Sequence, residues 1–276
     1  MKLPLVSIVT PSFNQAAFLE ETILSVLRQD YPSVEYIIID GGSTDGSVKI
    51  IRKYEQHLAY WISEPDGGQA CAVNKGFAQA RGELLGWLCS DDLLTPSMVS
   101  LSAAYLKRDE SIGMTYGDRV RIDRRGNIYS FQRYPSFRHY HLRFGLSLPQ
   151  ETSLFRREIF YAVGGLDESL QMALDYDLWC RLSRVSKLQH IPAYLGYFRS
   201  HLDNKSSNYS RQIQLAGYGE GYPAEFSKVY ERYFGMPPSK IRARLGELLR
   251  ATQAFVERRS AGYRREMSFV KDLRCQ

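Results

Sequence analysis

Residues 6–47 read VSIVTPSFNQAAFLEETILSVLRQDYPSVEYIIIDGGSTDGS and begin a series of alternating strands and helices. A β-branched run over residues 6–10 predicts a short strand that ends at Pro11. The apolar residues that follow recur at helical spacing and predict a helix: Leu19, Ile23, Val26 and Leu27. Residues 36–39 predict a second strand, and Val48, Ile51 and Tyr54 mark the next helix. Two such units in succession are typical of parallel strands joined by crossover helices.

The alternation continues and then loosens along the chain. A third strand is predicted over residues 60–62, a helix over 70–80 and a fourth strand over 84–88. After about Ile112 the predicted elements are strands over 114–121 and 128–133 joined by a turn at 125–127, a helix over 176–184, and strands over 188–191 and 194–199. We therefore predict an α/β chain with a mostly parallel sheet in its first half and an α+β second half.

Composition and charge narrow the class of protein. The 276 residues are 44% hydrophobic and 24% charged, which excludes a disordered chain, collagen and a coiled coil. The net charge is +6, and residues 240–274, with ten basic and four acidic side chains, account for all of it. Because the rest of the chain is neutral, a nucleic-acid-binding function is disfavoured.

The segment from Pro237 onward predicts a basic amphipathic helix. Its apolar residues recur near helical spacing: Ile241, Leu245, Leu248, Leu249, Phe255 and Val256. Two interpretations stay open, namely docking on an anionic lipid surface and packing on the body with a solvated basic face. The second is favoured, since most charged runs are simply solvated.

Cysteine spacing and hydropathy predict the compartment. The four cysteines, at 71, 89, 180 and 275, match neither a zinc or redox CxxC spacing nor a dense disulfide framework. The N-terminus lacks the continuous apolar segment of a signal peptide, and no run approaches the ~20 apolar residues of a membrane span. We expect a cytoplasmic protein, with peripheral membrane contact left open.

Polar loops follow each strand of the predicted sheet, at the edge where open α/β sheets bind ligands. The loop at residues 10–14 offers an aromatic face and polar groups for a nucleotide base. Asp40 could accept hydrogen bonds from a base or a ribose, and Gly41 and Gly42 allow close backbone approach. Each signal is weak alone, because Asp-Gly-Gly at a strand end is more often only a turn.

Adjacent Asp91 and Asp92 follow the fourth strand and carry a sharper signal. Paired carboxylates suit a divalent ion such as Mg²⁺ or Mn²⁺. The alternative is a helix N-cap. Thr95 and Pro96 supply a better cap and first helical residue, which leaves both carboxylates free for another role.

Taken together, these segments resemble the GT-A-fold glycosyltransferases of family 2, particularly small bacterial enzymes of surface polysaccharide synthesis. The resemblance runs from about residue 5 to 206 and rests on VSIVTPSFNQ (6–15), ETILSV (21–26), YIIIDGGSTDGS (36–47), WISEPDGGQ (61–69), NKG (74–76), GWLCSDD (86–92), GGLDE (164–168) and ALDYDLWCRL (173–182). It implies a Rossmann-like nucleotide-binding sheet at 1–111, an acceptor-side half at 112–209 and a C-terminal helical extension at 210–276.

The resemblance also implies a donor site for a nucleotide-diphosphate sugar. Its expected contacts are Pro11, Phe13, Asn14, Asp40, Gly42, Asp66, Gly68, Lys75 and Asp91. The Ser90-Asp91-Asp92 sequence is similar to the family's DXD element with its first Asp replaced, so Asp92 is the expected ligand of Mn²⁺ or Mg²⁺. His201 is the second expected ligand, although without the family it would be a surface histidine.

Asp175 is the expected catalytic base, because it matches the second residue of the family's Glu-Asp pair. In isolation the same segment could be an acidic first helical turn. Weaker acceptor-side candidates are Gln150, Glu151, Asp177 and Trp179. Trp87 is expected in the core rather than on a sugar.

Three positions depart from the family's pattern. Leu174 replaces the Glu of the pair, Val73 stands where many relatives have an arginine, and Cys89 replaces a common asparagine. The predicted function is still an inverting, metal-dependent glycosyltransferase that uses a UDP-sugar and a glycan or lipid-linked acceptor. A non-catalytic sugar-nucleotide or glycan-binding subunit with the same fold is the alternative.

Overall fold

The computed structural model describes residues 3–145, 147–205 and 224–236, together with positions 245, 248 and 252. The helices and strands of its first half are β1 (Val6–Ser12), α1 (Leu19–Leu27), β2 (Val34–Asp40), α2 (Ser47–Lys53), a 3₁₀ turn (Glu55–His57), β3 (Tyr60–Ser63), α3 (Gln69–Gln79) and β4 (Leu84–Trp87). The alternating strands and helices predicted for this half are confirmed.

The second half mixes strand directions. Its elements are β5 (Leu93–Leu94), α4 (Met98–Arg108), β6 (Ile112–Ile122), β7 (Ile128–Gln132), α5 (His139–Arg143), a 3₁₀ turn (Gln150–Thr152), β8 (Leu154–Arg156), α6 (Arg157–Ala162), α7 (Leu174–Val185), β9 (Lys187–Arg199) and α8 (Ala224–Phe234). The predicted hairpin is present, with Gly126 at a φ of 85° in the turn between β6 and β7.

The described strands form one sheet in the order β3-β2-β1-β4-β8-β6-β9-β5, with β7 paired to β6. Neighbours are parallel from β3 through β4 and again between β6 and β9, while β8, β7 and β5 run against their partners. In register, Ser12 lies beside Asp40, and Asp40 lies beside Ser63. The loops after β1, β2 and β3 therefore leave the sheet at the same edge.

Helices cover both faces of the parallel part of the sheet. Consecutive β1 residues point in opposite directions, so Val9 packs with Val73 and Phe77 of α3 while Ile8 packs with Leu19 of α1. A sheet buried on both faces explains why its strands are continuous apolar runs.

The first strand is longer than predicted. It passes through Pro11, which lies beside Ile39 of β2, and ends at Ser12. On its other side β1 pairs with β4 only as far as Val9 and Trp87. Proline has no N–H to donate, and it is tolerated here because no β4 residue pairs beside it.

The two strands predicted over 188–191 and 194–199 are one strand, β9. Its register against β6 shifts where Tyr116 lies beside His190 and Asp118 lies beside Tyr194. This irregularity takes up Pro192, which could not donate to a regular ladder. The prediction of a break was wrong because local sequence does not show that β6 continues alongside.

The cap predicted at Thr95 and Pro96 was also wrong. Helix α4 begins at Met98 with Ser97 at its N-cap, and the Thr95 hydroxyl instead donates to the Tyr194 carbonyl at 3.2 Å. The helix still begins well after Asp91 and Asp92, so neither carboxylate is its cap.

The predicted amphipathic helix after Pro237 lies outside the described residues except at positions 245, 248 and 252. Leu245 and Leu248 are both exposed. Among the described helices, none combines the length and apolar character needed to cross a bilayer.

Candidate functional site

An exposed aromatic ring and a carboxylate flank a glycine where the first three strands end. Phe13 is 61% exposed. A Cβ placed on Gly41 would lie 3.2 Å from Asp66 Oδ2 and 3.3 Å from Phe13 Cδ2. The absence of a side chain at Gly41 therefore keeps a narrow slot open between a ring that can stack and an acceptor that can hydrogen-bond. Pro11 is buried behind this slot.

Asp40 organises the loop beside the slot. Its buried carboxylate accepts hydrogen bonds from Ser43 N at 2.8 Å, Ser43 Oγ at 2.5 Å and Ser63 Oγ at 2.7 Å. The structure thus uses Asp40 to hold the loop, whereas Asp66 faces the slot. Asp66 also accepts from Gly68 N at 2.8 Å, which shapes the turn into α3.

Asn14 and Gly42 set the path of the loops around the slot. Asn14 has a φ of 52° and accepts from Thr44 N through Oδ1 at 2.9 Å, while its own N–H donates to Ser43 Oγ. Gly42 has a φ of 82°, and a Cβ there would lie 3.2 Å from Pro65 N. Both expected donor-site residues therefore lie at the slot, in a framework role.

An acidic cluster follows β4. One ligand atom from each of Cys89, Asp91 and Asp92 lies within 4.8 Å of the others. Asp92 is buried and accepts from Arg199 N at 2.8 Å, and its burial, with the nearby Asp91 and Glu151 carboxylates, raises its pKa well above the ordinary value. Concentrated negative charge with oxygen donors fits Mn²⁺ or Mg²⁺.

His201 lies next to this cluster, as expected, but contacts it through a carboxylate. Its Nε2 lies 2.9 Å from Asp91 Oδ2, and its ring packs on Phe18 with centroids 4.5 Å apart. Within the described part of the chain, the buried Nδ1 has no hydrogen-bond partner. In this arrangement His201 orients Asp91.

Sequence reasoning missed Arg199, which joins the cluster to the body. Its guanidinium donates to the Asp91 carbonyl at 2.9 Å and to Glu21 at 2.5 Å, in addition to the backbone bond to Asp92. Of the Arg-Ser-His sequence at the end of β9, only the histidine was predicted to belong to the metal site. Arg199 lies 107 residues from Asp92, and such a distant partner leaves no local pattern.

A second missed residue, Arg119, brings a positive charge beside the buried Glu151. It forms a two-pronged ion pair with the buried Glu151, with N–O distances of 2.7 and 2.6 Å. Burial raises the pKa of Asp92 and of Asp175, and the Arg119 charge partly offsets both shifts. Glu151 therefore holds Arg119 in place.

Gln150 links the cluster to the sheet. It donates through Nε2 to the Trp87 carbonyl at 2.5 Å and accepts from Cys89 Sγ at 3.5 Å. Gln69 donates to the same sulfur at 3.2 Å. These contacts place Gln150 beside the candidate metal ligands.

Asp175 lies at the first turn of α7 and is half-buried. Its carboxylate accepts from Tyr176 N at 2.7 Å and from Ser147 Oγ at 3.3 Å. Burial raises its pKa above the ordinary value of 3.8. A partly accessible carboxylate with a raised pKa is suited to general-base chemistry.

Two other acceptor-side candidates, Asp177 and Trp179, are buried in the protein interior. Asp177 is fully buried and binds Arg181 at 2.6 Å, Arg232 at 3.2 Å and the Tyr233 hydroxyl at 2.8 Å. Trp179 is fully buried and stacks on Trp87 with centroids 5.8 Å apart. These contacts give Asp177 and Trp179 structural roles, and the core position of Trp87 is confirmed.

Lys75 lies within α3, and Gly68 lies just before it. Lys75 Nζ lies 2.6 Å from Glu64 Oε1, so part of its charge is already matched. Gly68 has a φ of 105° at the start of the helix, a conformation that a side chain would strain. Their contact with a donor stays a prediction.

The family model for Glycosyl transferase family 2 matches residues 7–164. The chain belongs to glycosyltransferase family 2. The match contains the slot beside Gly41 and the acidic cluster, but Asp175 and His201 of this family 2 chain lie beyond the matched residues.

Known proteins similar to this family 2 chain include a polysaccharide synthase. Chondroitin synthase of Escherichia coli is 31% identical over 193 residues, which cover 69% of the chain but only 28% of the synthase. The chain thus spans little more than a quarter of that relative.

Two solved structures share the fold. S. aureus TarS 1–349 in complex with UDP-GlcNAc has a TM-score of 0.63 at 19% identity, covering 83% of this chain and 71% of that one. The mannosyltransferase PcManGT from Pyrobaculum calidifontis, in complex with GDP-Man and Mn²⁺, has a TM-score of 0.60 at 19% identity, covering 84% and 69%. The predicted GT-A fold is confirmed.

Proposed function

We propose that the protein is an inverting glycosyltransferase that moves a sugar from a nucleotide-diphosphate sugar to an acceptor hydroxyl. The observation that carries the proposal is the acidic cluster after β4, in which ligand atoms of Cys89, Asp91 and Asp92 lie within 4.8 Å of one another, in a chain that also presents the half-buried Asp175 carboxylate at the first turn of α7. One-step transfer needs these two features, a site for the leaving diphosphate and a base for the acceptor.

The donor base is proposed to lie in the slot between Phe13 and Asp66, with the diphosphate directed to Asp91 and Asp92. We propose a UDP-sugar as the donor; of the two solved structures with this fold, TarS 1–349 is in complex with UDP-GlcNAc and PcManGT is in complex with GDP-Man, which supports a nucleotide-sugar donor. Mn²⁺ or Mg²⁺ held by these two aspartates would neutralise charge on the diphosphate as it leaves. Lys75, within α3, and Gly68, just before it, are proposed to line the same region.

Asp175 is proposed to take the proton of the acceptor hydroxyl. The acceptor oxygen then attacks the anomeric carbon while the bond from that carbon to the diphosphate oxygen breaks. A single displacement inverts the anomeric configuration and forms no covalent intermediate with the protein. Ser147 and Tyr176 N hold the carboxylate in place.

The acceptor is proposed to be a glycan or a lipid-linked oligosaccharide at the cytoplasmic face of a membrane. Similarity to chondroitin synthase supports a role in polysaccharide synthesis. The basic residues of the C-terminal segment suit an anionic lipid surface. A binding subunit without catalysis is the competing function, and it predicts nucleotide binding without turnover.

A thermal-shift experiment tests the donor and metal sites, because a ligand that binds the native state raises its apparent stability. UDP, dTDP and GDP would each be added with and without Mn²⁺ to the wild type, to Asp92→Ala and to the control Asp30→Ala, whose side chain is exposed. We expect a metal-dependent shift with UDP that the control keeps and Asp92→Ala loses. No shift with any nucleotide, in folded protein, would contradict the proposal.

A further inference from the structure

Helix α8 packs across α7, the helix that begins at the candidate base. The ring centroid of Phe226 lies 4.4 Å from that of Tyr176, the residue after Asp175. Farther along α8, Arg232 and Tyr233 bind the buried Asp177. The Tyr230 hydroxyl donates to the Arg143 carbonyl at 2.6 Å, which connects α8 to the segment that leads to Ser147.

Glu225, in the first turn of α8, binds the backbone that enters α7. Its two carboxylate oxygens accept from Gln171 N at 2.5 Å and from Met172 N at 2.8 Å. Helix α7 has no cap of its own, since Ala173 stands at its N-cap and makes no side-chain cap hydrogen bond. A carboxylate more than fifty residues away therefore satisfies amides just before the helix that carries Asp175.

The segment held by Glu225 also contacts the turn between β3 and α3. Gln171 Nε2 lies 3.5 Å from the Gly67 carbonyl, and a Cβ on Gly68 would lie 3.0 Å from Gln171 Oε1. Lys205 donates to the Gln171 carbonyl at 3.3 Å. The backbone at 171–172 thus contacts the turn that holds Gly68 and leads into the helix that carries Asp175, and Glu225 holds this backbone by two hydrogen bonds.

We propose that Glu225 is a positioning residue that sets the location of the Asp175 carboxylate by holding the Gln171 and Met172 amides. The inference rests on the proposed function, because it concerns the base of that reaction. Glu225 is not among the expected donor contacts, and its hydrogen bonds are to the backbone that enters α7, so we expect donor binding at the slot beside Gly41 and at the acidic cluster to persist without them.

The test compares Glu225→Gln with Glu231→Gln in the full-length protein. Glutamine keeps the shape of Glu225 but offers an N–H₂ group where one amide needs an acceptor, so one hydrogen bond is lost. Glu231 lies on the same helix with an exposed side chain and serves as the control. Three quantities would be measured: hydrogen exchange of the 171 and 172 amides, the dissociation constant for UDP with Mn²⁺, and kcat for UDP release from UDP-GlcNAc with water as acceptor.

We expect Glu225→Gln to speed exchange at these amides and to lower kcat about 10- to 100-fold, with the UDP dissociation constant unchanged, since small misplacements of a catalytic group have effects of this size. Glu231→Gln should match the wild type in all three. Glu225→Asp, which retains the charge on a shorter side chain, replaces Glu225→Gln if that variant does not fold.

Unchanged exchange, or faster exchange with unchanged kcat, would overturn the positioning role. A parallel fall in kcat, UDP affinity and melting temperature would also overturn it, because that pattern indicates general loss of structure. If the wild type binds UDP yet releases none from any sugar donor, the proposed function fails. The positioning role then fails with it, because there is no reaction for Glu225 to affect. The exchange data would still show whether Glu225 holds the segment.

Discussion

Asp175 and Asp177 are two residues apart on one helix, and their environments suit the first to catalysis and the second to a structural role. Asp175 is half-buried and contacts a hydroxyl and a backbone amide, whereas Asp177 is enclosed by two arginines and a tyrosine. Two residues correspond to ~200° around a helix, so the carboxylates leave opposite sides of it. Only Asp175 is left to accept a proton.

Asp175→Asn should separate activity from stability. We expect UDP release to fall about 10²- to 10⁴-fold, since the base is lost, with UDP binding retained. Burial raises the pKa of Asp175 in the folded state, so the native protein binds more protons than the unfolded chain between the two pKa values. The wild type therefore loses stability as pH rises through the folded pKa.

The uncharged variant avoids that loss and should melt at a higher temperature than the wild type at pH 7, with the difference shrinking in acid. Melting curves over a pH series, beside a UDP-release assay, measure both effects. Retained turnover in Asp175→Asn would show that another group is the base.

Asp177→Asn should lower stability and leave UDP binding unchanged. Removing the charge leaves Arg181 and Arg232 without their buried partner, and we expect the free energy of unfolding to fall by about 3 kcal/mol. UDP affinity at temperatures where the variant is folded should not change. Urea denaturation and UDP titration measure the two quantities, and a loss of UDP affinity in folded protein would contradict a purely structural role for Asp177.

At the scale of elements, α3 lies so close to β1 that one position cannot carry a side chain. A Cβ on Gly76 would lie 2.4 Å from Val9 Cγ1 and 3.2 Å from Ile39 Cγ1. Gly76→Ala should therefore lower the free energy of unfolding by about 1–3 kcal/mol, despite alanine's higher helix propensity. Urea denaturation would measure this change.

Gly67→Ala provides the comparison, because a Cβ there would meet Cys71 Cβ at an ordinary 3.5 Å. This control should unfold at nearly the wild-type urea concentration. If Gly76→Ala were equally harmless, the close approach of α3 to β1 would not constrain this position.

At the scale of the whole molecule, the excess positive charge lies in residues 240–274. If this segment docks on anionic lipid, each basic residue near the surface contributes about 1 kcal/mol. Changing Arg242, Arg244, Arg250 and Arg258 to Gln should then weaken binding to phosphatidylglycerol vesicles at least ~10-fold, and added salt should weaken wild-type binding. Co-sedimentation with vesicles measures both effects.

The matched control changes four exposed basic residues of the body to Gln: Arg28, Lys49, Arg52 and Arg125. It should bind vesicles like the wild type. Equal loss in both variants would indicate a general charge effect. Wild-type protein that does not sediment with the vesicles would favour the alternative, a terminal helix with a solvated basic face.

The alternation of strands and helices, the polar loops at one sheet edge and the acidic pair after β4 could all be predicted from the sequence. These features are local: a β-branched run, an apolar period of 3.6 residues or two adjacent carboxylates is visible within a short stretch. The same reasoning predicted Trp87 in the core, and the structure confirmed it. It also placed Asp175 in a helical first turn.

The three-dimensional contacts were needed to show which polar groups bind other groups of the protein and which face the candidate site. Two serines donate hydrogen bonds to Asp40, whereas Asp66 faces the slot. Glu151 holds Arg119, and Arg199 and Glu225 each bind groups more than fifty residues away. The merged strand β9 has the same origin, because β6 supplies its partner. Such pairings depend on which segments the chain brings together in space, and spacing along the sequence carries no record of that.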